Sequence, residues 1–132
     1  MNLIIDTNII FSALYSEESP AAHLIQMAIF GEMRLFSPEH VKNELERILI
    51  TKLSYKKEEI TDLFESLPIS WIESKIYEDK VKEATKLIKD KDDVPIVACS
   101  LATGYAIVTG DKHFLPVKKS NIKVLRLRDF KE

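Results

Sequence analysis

A chain of 132 residues with 45% hydrophobic and 30% charged residues has the composition of a single globular domain over residues 1–132, large enough to bury a core. Its one cysteine excludes an intrachain disulfide, and no apolar stretch approaches the length of a membrane span. The sequence opens almost at once on a strand pattern, with no secretory signal before it, so we expect a cytoplasmic protein with no membrane partner.

The formal net charge of −2 is unevenly distributed. Residues 104–132 carry seven Lys or Arg and three Asp or Glu, a net of +4, which leaves −6 for the rest of the chain. A basic terminal segment suits a polyanionic partner, although a solvated lysine-rich surface has the same composition.

The first predicted element, at residues 3–5, is an apolar run that ends in Asp6, Thr7 and Asn8. Apolar residues without polar alternation indicate a strand buried on both faces, as in a parallel sheet covered by helices. Ligands of such sheets bind beyond the carboxyl ends of the strands, where Asp6 would lie. All three polar residues are also good helix N-caps, so the triplet alone is better explained as a cap.

The next segments are predicted to be mainly helical, and one helix carries an acidic residue beside its inward apolar stripe. Helices are predicted at 9–14 and 20–30, then a strand at 33–36. Ser37, followed by Pro38, then has the pattern of an N-cap for a helix that runs to about residue 50. Glu44 falls on the flank of the inward stripe of that helix, where a carboxylate needs a partner unless it reaches solvent.

In the second half of the chain, acidic residues again lie next to apolar elements. After a polar connection at 51–55, helices are predicted at 57–67, 81–88 and 94–103, strands at 69–72, 105–109 and 122–125, and a helical turn at 112–115. The helix at 94–103 is apolar all round, which indicates burial on two sides, and Asp92 and Asp93 precede it. The strand at 105–109 is followed by Asp111. The alternation predicts a three-layer α/β/α fold with a mostly parallel central sheet of four or five strands.

Four carboxylates reach one edge of this sheet by independent routes. They are Asp6, Glu44, Asp93 and Asp111. Crowded like charges take up protons or hold a cation, and oxygen ligands without cysteine or histidine favour Mg²⁺ or Mn²⁺. The scattered histidines show no spacing typical of zinc ligands. With Asp6 as a metal ligand, capping of the next helix passes to Thr7 or Asn8.

Four blocks in order, at residues 5–14, 36–45, 93–95 and 108–114, carry a family resemblance. They resemble the PIN domain, the fold of many metal-dependent ribonucleases, including the VapC-type toxins of prokaryotic toxin–antitoxin pairs. The resemblance assigns catalysis and metal binding to Asp6, Glu44, Asp93 and Asp111, with Asn8 and Thr109 as polar support. Asp93 is preferred to Asp92 because its Asp-x-Pro spacing matches the family.

The resemblance implies an endoribonuclease in which Mg²⁺ or Mn²⁺ orients a phosphodiester and activates water, with 5′-phosphate and 3′-hydroxyl products. It also implies an antitoxin protein and a homodimer as partners, besides the RNA substrate. Candidates for contacts to the RNA backbone are Lys112, His113, Lys118, Lys119, Arg126 and Arg128. Two alternatives remain open: a metal-dependent phosphatase, and a non-catalytic RNA- or protein-binding module on the same fold.

Overall fold

The computed structural model describes residues 1–110 and 121–130. Five described strands form one sheet in which each neighbouring pair is parallel. They are β1 (Asn2–Ile5), β2 (Arg34–Pro38), β3 (Ile69–Ile72), β4 (Ala106–Thr109) and β5 (Val124–Arg126). The predicted α/β fold with a parallel central sheet is confirmed.

Seven α-helices lie between these strands in the described part of the chain. They are α1 (Thr7–Tyr15), α2 (Pro20–Ile29), α3 (Glu39–Leu53), α4 (Lys57–Ser66), α5 (Ser74–Tyr77), α6 (Val81–Leu87) and α7 (Val94–Thr103). Short 3₁₀ turns occupy Glu78–Lys80 and Leu127–Phe130. None of the helices described is long and apolar enough to cross a membrane.

The strand order β3-β2-β1-β4-β5 places β1 at the centre of the sheet. From β1 the chain first builds outward through β2 and β3, then returns to the other side of β1 for β4 and β5. In such sheets the point at which the order reverses leaves a crevice beyond the carboxyl ends of the strands. The residues that follow β1 therefore lie at the position where α/β proteins bind ligands.

Burial of β1 and α7 explains why their sequences lack polar alternation. Leu3, Ile4 and Ile5 are completely buried, and every residue of α7 from Val94 to Ser100 is buried. Each buried methylene group contributes about 0.8 kcal/mol to folding, so these two elements anchor the core. The residues at their ends are held in place by that packing.

Ser37 is not the helix cap that its sequence context predicts. The strand β2 extends to Pro38, and the buried hydroxyl of Ser37 donates a hydrogen bond to the carbonyl oxygen of Ile5 at 2.7 Å. Pro38 is the residue before α3. The prediction was wrong because a small polar residue before a proline suits both a cap and the end of a strand, and here pairing with β1 decides.

Other boundaries also differ from the predicted ones. The helix α3 continues through the predicted polar connection to Leu53 and ends at Ser54, whose φ of 55° is left-handed. The helix α1 begins at Thr7, two residues earlier than predicted, and α5 was not predicted at all. Four residues are too few for a helical period to be visible, and α5 is fixed instead by its buried Tyr77.

Candidate metal centre

A cavity of about 240 Å³ lies beyond the carboxyl end of β1, between the start of α1, the side of α3 and the segment that leads into α7. Five carboxylates line it, and the lining residues of the described chain include no Lys, Arg or His. The five are Asp6, Glu44, Asp90, Asp92 and Asp93. We call this space the acidic cavity.

Asp6 faces the acidic cavity and also caps α1. Its carboxylate oxygen Oδ1 accepts a hydrogen bond from the backbone N–H of Ile9 at 3.0 Å, and the residue is only 7% exposed. The prediction that Thr7 or Asn8 takes over the cap is therefore wrong, because a carboxylate has two oxygens and one residue can fill both roles. The cap fixes the position of Asp6 at the end of β1.

Glu44 is held by a residue from the other side of the cavity. The hydroxyl of Thr7 donates a hydrogen bond to Glu44 Oε1 at 2.9 Å, which joins the first turn of α1 to α3. Glu44 is half-buried beside the inward residues Val41 and Leu45, as the helical period predicted. Thr7 thereby orients the Glu44 carboxylate at the cavity wall.

Asp92 and Asp93 both line the acidic cavity, but in different environments. Asp93 is half-buried and is the residue before α7, where its carbonyl oxygen accepts from the N–H of Val97 at 3.2 Å. Asp92 is exposed, and its backbone N–H donates to Asp90 Oδ1 at 3.0 Å. Asp93 is the more buried of the two, and its preference over Asp92 as a metal ligand stays a prediction.

The polar residues proposed as support lie near this edge. Asn8 is exposed and lines the acidic cavity. Thr109 is buried at the carboxyl end of β4, next to the end of β1, since Ile5 pairs with Val108.

The predicted RNA-contacting residues divide into two groups. Arg126 and Arg128 are exposed beside β5, two strands from β1, and neither lines the acidic cavity. The guanidinium of Arg126 lies 3.5 Å from the carboxylate of Asp129. The fourth predicted acid, Asp111, lies outside the described residues, together with Lys112, His113, Lys118 and Lys119.

His40 borders this site, and sequence reasoning missed it. Potential ligand atoms of His40, Glu44 and Asp92 all lie within 4.8 Å of one another. The available signal was the four-residue spacing from His40 to Glu44, which places both on one face of α3. Spacing patterns typical of zinc sites do not reveal a histidine that is paired with an acid on the same helix face.

The cysteine does not supply a second kind of chemistry. Cys99 is completely buried in α7, and burial raises the pKa of its thiol to about 12. The reactive form of cysteine is the thiolate, which is scarce at neutral pH when the pKa is so high. Cys99 is therefore a residue of the core.

The donor set of the acidic cavity fits a hard divalent cation. Asp6 is buried, Glu44 and Asp93 are half-buried, and all are carboxylates, the ligands preferred by Mg²⁺ and Mn²⁺. Carboxylates grouped without a positive side chain on the described lining raise each other's electrostatic energy. A bound cation relieves that repulsion.

A parallel sheet that carries clustered acids at its carboxyl edge defines the chain as an α/β domain with a candidate metal centre at the switch point. The PIN domain sequence profile matches residues 4–128, and the chain belongs to the PIN domain family. No curated protein matches the chain.

Solved structures share the fold at low sequence identity. VapBC2 from Rickettsia felis, bound to a DNA fragment from its promoter, has 19% identity and a TM-score of 0.67 over 96% of this chain and 98% of that one. VapBC-1 from nontypeable Haemophilus influenzae has 15% identity and a TM-score of 0.63, covering 97% and 99%. FitAcB from Neisseria gonorrhoeae has 17% identity and a TM-score of 0.61, covering 96% and 98%.

Proposed function

We propose that this chain is a metal-dependent endoribonuclease and the toxin of a toxin–antitoxin pair, acting in the cytoplasm. The observation that carries the proposal is the acidic cavity beyond β1 in a chain of the PIN domain family, whose members are generally nucleases. The cavity lies where α/β sheets bind ligands, and its charge calls for a cation and suits a phosphate only when that cation is present.

Asp6, Glu44 and Asp93 would hold Mg²⁺ or Mn²⁺, joined by Asp111 according to the family resemblance. Such an ion, when bound, neutralises phosphate charge and lowers the pKa of water. The chain's own contribution is rigidity: the N–H of Ile9 holds Asp6, and the hydroxyl of Thr7 holds Glu44. Carboxylates fixed before the substrate arrives need little reorganisation during the reaction.

The proposed reaction is hydrolysis of an RNA phosphodiester. Water attacks phosphorus, the bond from phosphorus to the 3′ oxygen breaks, and the products carry 5′-phosphate and 3′-hydroxyl ends. The exposed Arg126 and Arg128 are candidates for the RNA backbone. Lys112, His113, Lys118 and Lys119 keep the same predicted role.

A protein partner is proposed on two grounds. The structural neighbours include VapBC and FitAcB, and exposed apolar side chains lie at the ends of α1 and α2. The most exposed are Tyr15, Ile29 and Phe30, at 73%, 61% and 81%. Apolar groups so exposed are typical of surfaces that another protein covers. We propose an antitoxin as this partner, and the homodimer stays a prediction.

Cleavage of single-stranded RNA with and without Mg²⁺ or Mn²⁺ tests the proposal. Asp6→Asn and Asp93→Asn should each reduce the rate about 10³-fold or more, equivalent to about 4 kcal/mol of transition-state stabilisation. Asparagine at position 6 keeps an oxygen for the N–H of Ile9, so the helix cap survives and the lost charge is isolated. Asp92→Asn should lose less than about 10-fold.

Asp62→Asn is the matched control, because Asp62 is exposed on α4 and does not line the cavity. RNA that stays intact with every metal contradicts the nuclease. Activity confined to small phosphomonoesters indicates the phosphatase instead. A loss of cleavage rate in Asp92→Asn as large as that in Asp93→Asn would assign the role of Asp93 to Asp92.

A further inference from the structure

Three metal-ligating side chains of different types meet at the rim of the acidic cavity. An imidazole nitrogen of His40 and carboxylate oxygens of Glu44 and Asp92 all lie within 4.8 Å of one another. They come from two separate segments, α3 and the residues just before α7. Asp92 and Glu44 also line the cavity, whereas His40 lies outside its lining.

The fold holds the three residues in this arrangement. His40 and Glu44 are four residues apart on α3, so their side chains project from the same face one turn apart. The backbone N–H of His40 donates to the hydroxyl of the buried Tyr77 at 3.4 Å, which holds the first turn of α3 against α5. On the other segment, the Asp90 carboxylate accepts a hydrogen bond from the backbone N–H of Asp92, which holds Asp92 in place.

The chemistry of this group differs from that of the buried acids. Imidazole nitrogen is a borderline ligand that suits Zn²⁺ and its neighbours in the first transition row better than Mg²⁺. Zn²⁺ accepts both imidazole nitrogen and carboxylate oxygen as ligands, and a set of three side chains leaves a fourth position for water.

The spacing is also compatible with one ion. Ligand atoms on a single tetrahedral Zn²⁺ lie about 2.0–2.2 Å from the metal, so they are about 3.4 Å from one another. The three ligand atoms here all lie within 4.8 Å of one another. Because His40 and Asp92 are exposed, rotation of their side chains can bring the three atoms closer together.

We propose that His40, Glu44 and Asp92 bind a late first-row transition-metal ion, represented by Zn²⁺, at the rim of the acidic cavity. His40 is the residue that distinguishes this site from an oxygen-only Mg²⁺ or Mn²⁺ site. The site shares Glu44 with the proposed metal centre, but its test requires neither RNA nor cleavage, so its failure and the failure of the proposed function are distinguishable.

Titration calorimetry of the whole chain with Zn²⁺ and, separately, with Mg²⁺ tests the proposal. His40→Ala should weaken Zn²⁺ binding at least about 10-fold, since even partners outside the ligand shell change metal affinity about 10–100-fold. Asp92→Asn should do the same. Mg²⁺ affinity should stay within about twofold of wild type in His40→Ala, because Mg²⁺ gains little from imidazole.

His23→Ala, a half-buried histidine on α2, is the matched control and should leave Zn²⁺ binding unchanged. The ¹⁵N signals of the His40 ring should shift on addition of Zn²⁺ and not of Mg²⁺. Unfolding curves of His40→Ala that match wild type exclude a folding defect as the cause.

Three results would overturn the site. They are undiminished Zn²⁺ binding in His40→Ala, an equal loss of Mg²⁺ binding in that variant, and loss of Zn²⁺ binding in His113→Ala but not in His40→Ala. Absence of nuclease activity in the same preparation contradicts only the proposed function.

Discussion

Two cavities border helix α3, and they differ in size and charge. The acidic cavity has about 240 Å³ and five carboxylates. The other, of about 590 Å³, lies between α3, α4 and β3, and we call it the aromatic groove. Two lysines and two glutamates on its walls balance each other, and Lys42 Nζ lies 5.6 Å and 6.0 Å from the ring centres of Phe64 and Trp71.

The difference shows that the carboxylates gathered on the described walls, and not the volume, distinguish a candidate site here. The cation–π contacts and the balanced charges of the aromatic groove stabilise it without any ligand. The described lining of the acidic cavity has no cation to balance its carboxylates. The smaller cavity is therefore the better candidate for a metal centre.

Truncating an aromatic side chain of the aromatic groove should reduce stability and leave the metal centre intact. Trp71 packs edge-on against Phe64 with ring centres 5.6 Å apart, and it also contacts the core. Trp71→Ala should lower the free energy of unfolding by about 3 kcal/mol, as for other large aromatic truncations. Denaturant unfolding measures this, and Mn²⁺ titration below the unfolding transition should give the wild-type affinity.

Trp71→Phe is the control that keeps an aromatic ring, and it should retain most of the stability. A fall in Mn²⁺ affinity in the folded Trp71→Ala protein would mean that the two cavities are coupled through α3.

Removing one hydroxyl from the acidic cavity should have a smaller effect, and it should act on metal affinity more than on stability. Thr7→Val keeps the shape of the side chain and deletes the donor to Glu44 Oε1. A net hydrogen bond is worth about 1 kcal/mol, so Mn²⁺ affinity should fall about fivefold. Titration calorimetry measures the affinity, and the free energy of unfolding should change by less than it does in Trp71→Ala.

Thr7→Ser restores the hydroxyl and should restore the affinity. If serine and valine behave alike, the hydrogen bond seen between Thr7 and Glu44 does not orient the carboxylate.

The features that could be predicted from sequence are those that depend on local patterns. Most residues of the strand β1 and the helix α7 are buried, and their continuous apolar sequences indicate this burial directly. The flank position of Glu44 followed from the helical period of α3 and is confirmed. These features depend on a local pattern that survives folding unchanged.

Features that depend on pairing between distant segments could not be predicted. Ser37 bonds to Ile5 across neighbouring strands, and Thr7 bonds to Glu44 across 37 residues. His40 approaches Asp92 only because α3 and the start of α7 meet at the same edge. Asp6 both caps α1 and lines the cavity, and the sequence does not reveal this double role because each role alone is compatible with an aspartate at this position.

The position of Mn²⁺ in crystals of the protein tests the central claim most directly. Anomalous diffraction locates manganese without reference to activity. The account predicts a peak in the acidic cavity, within coordination distance of Asp6, Glu44 or Asp93, and its loss in Asp6→Asn. Manganese absent from this cavity at saturating concentration, or bound only in the aromatic groove, would contradict it.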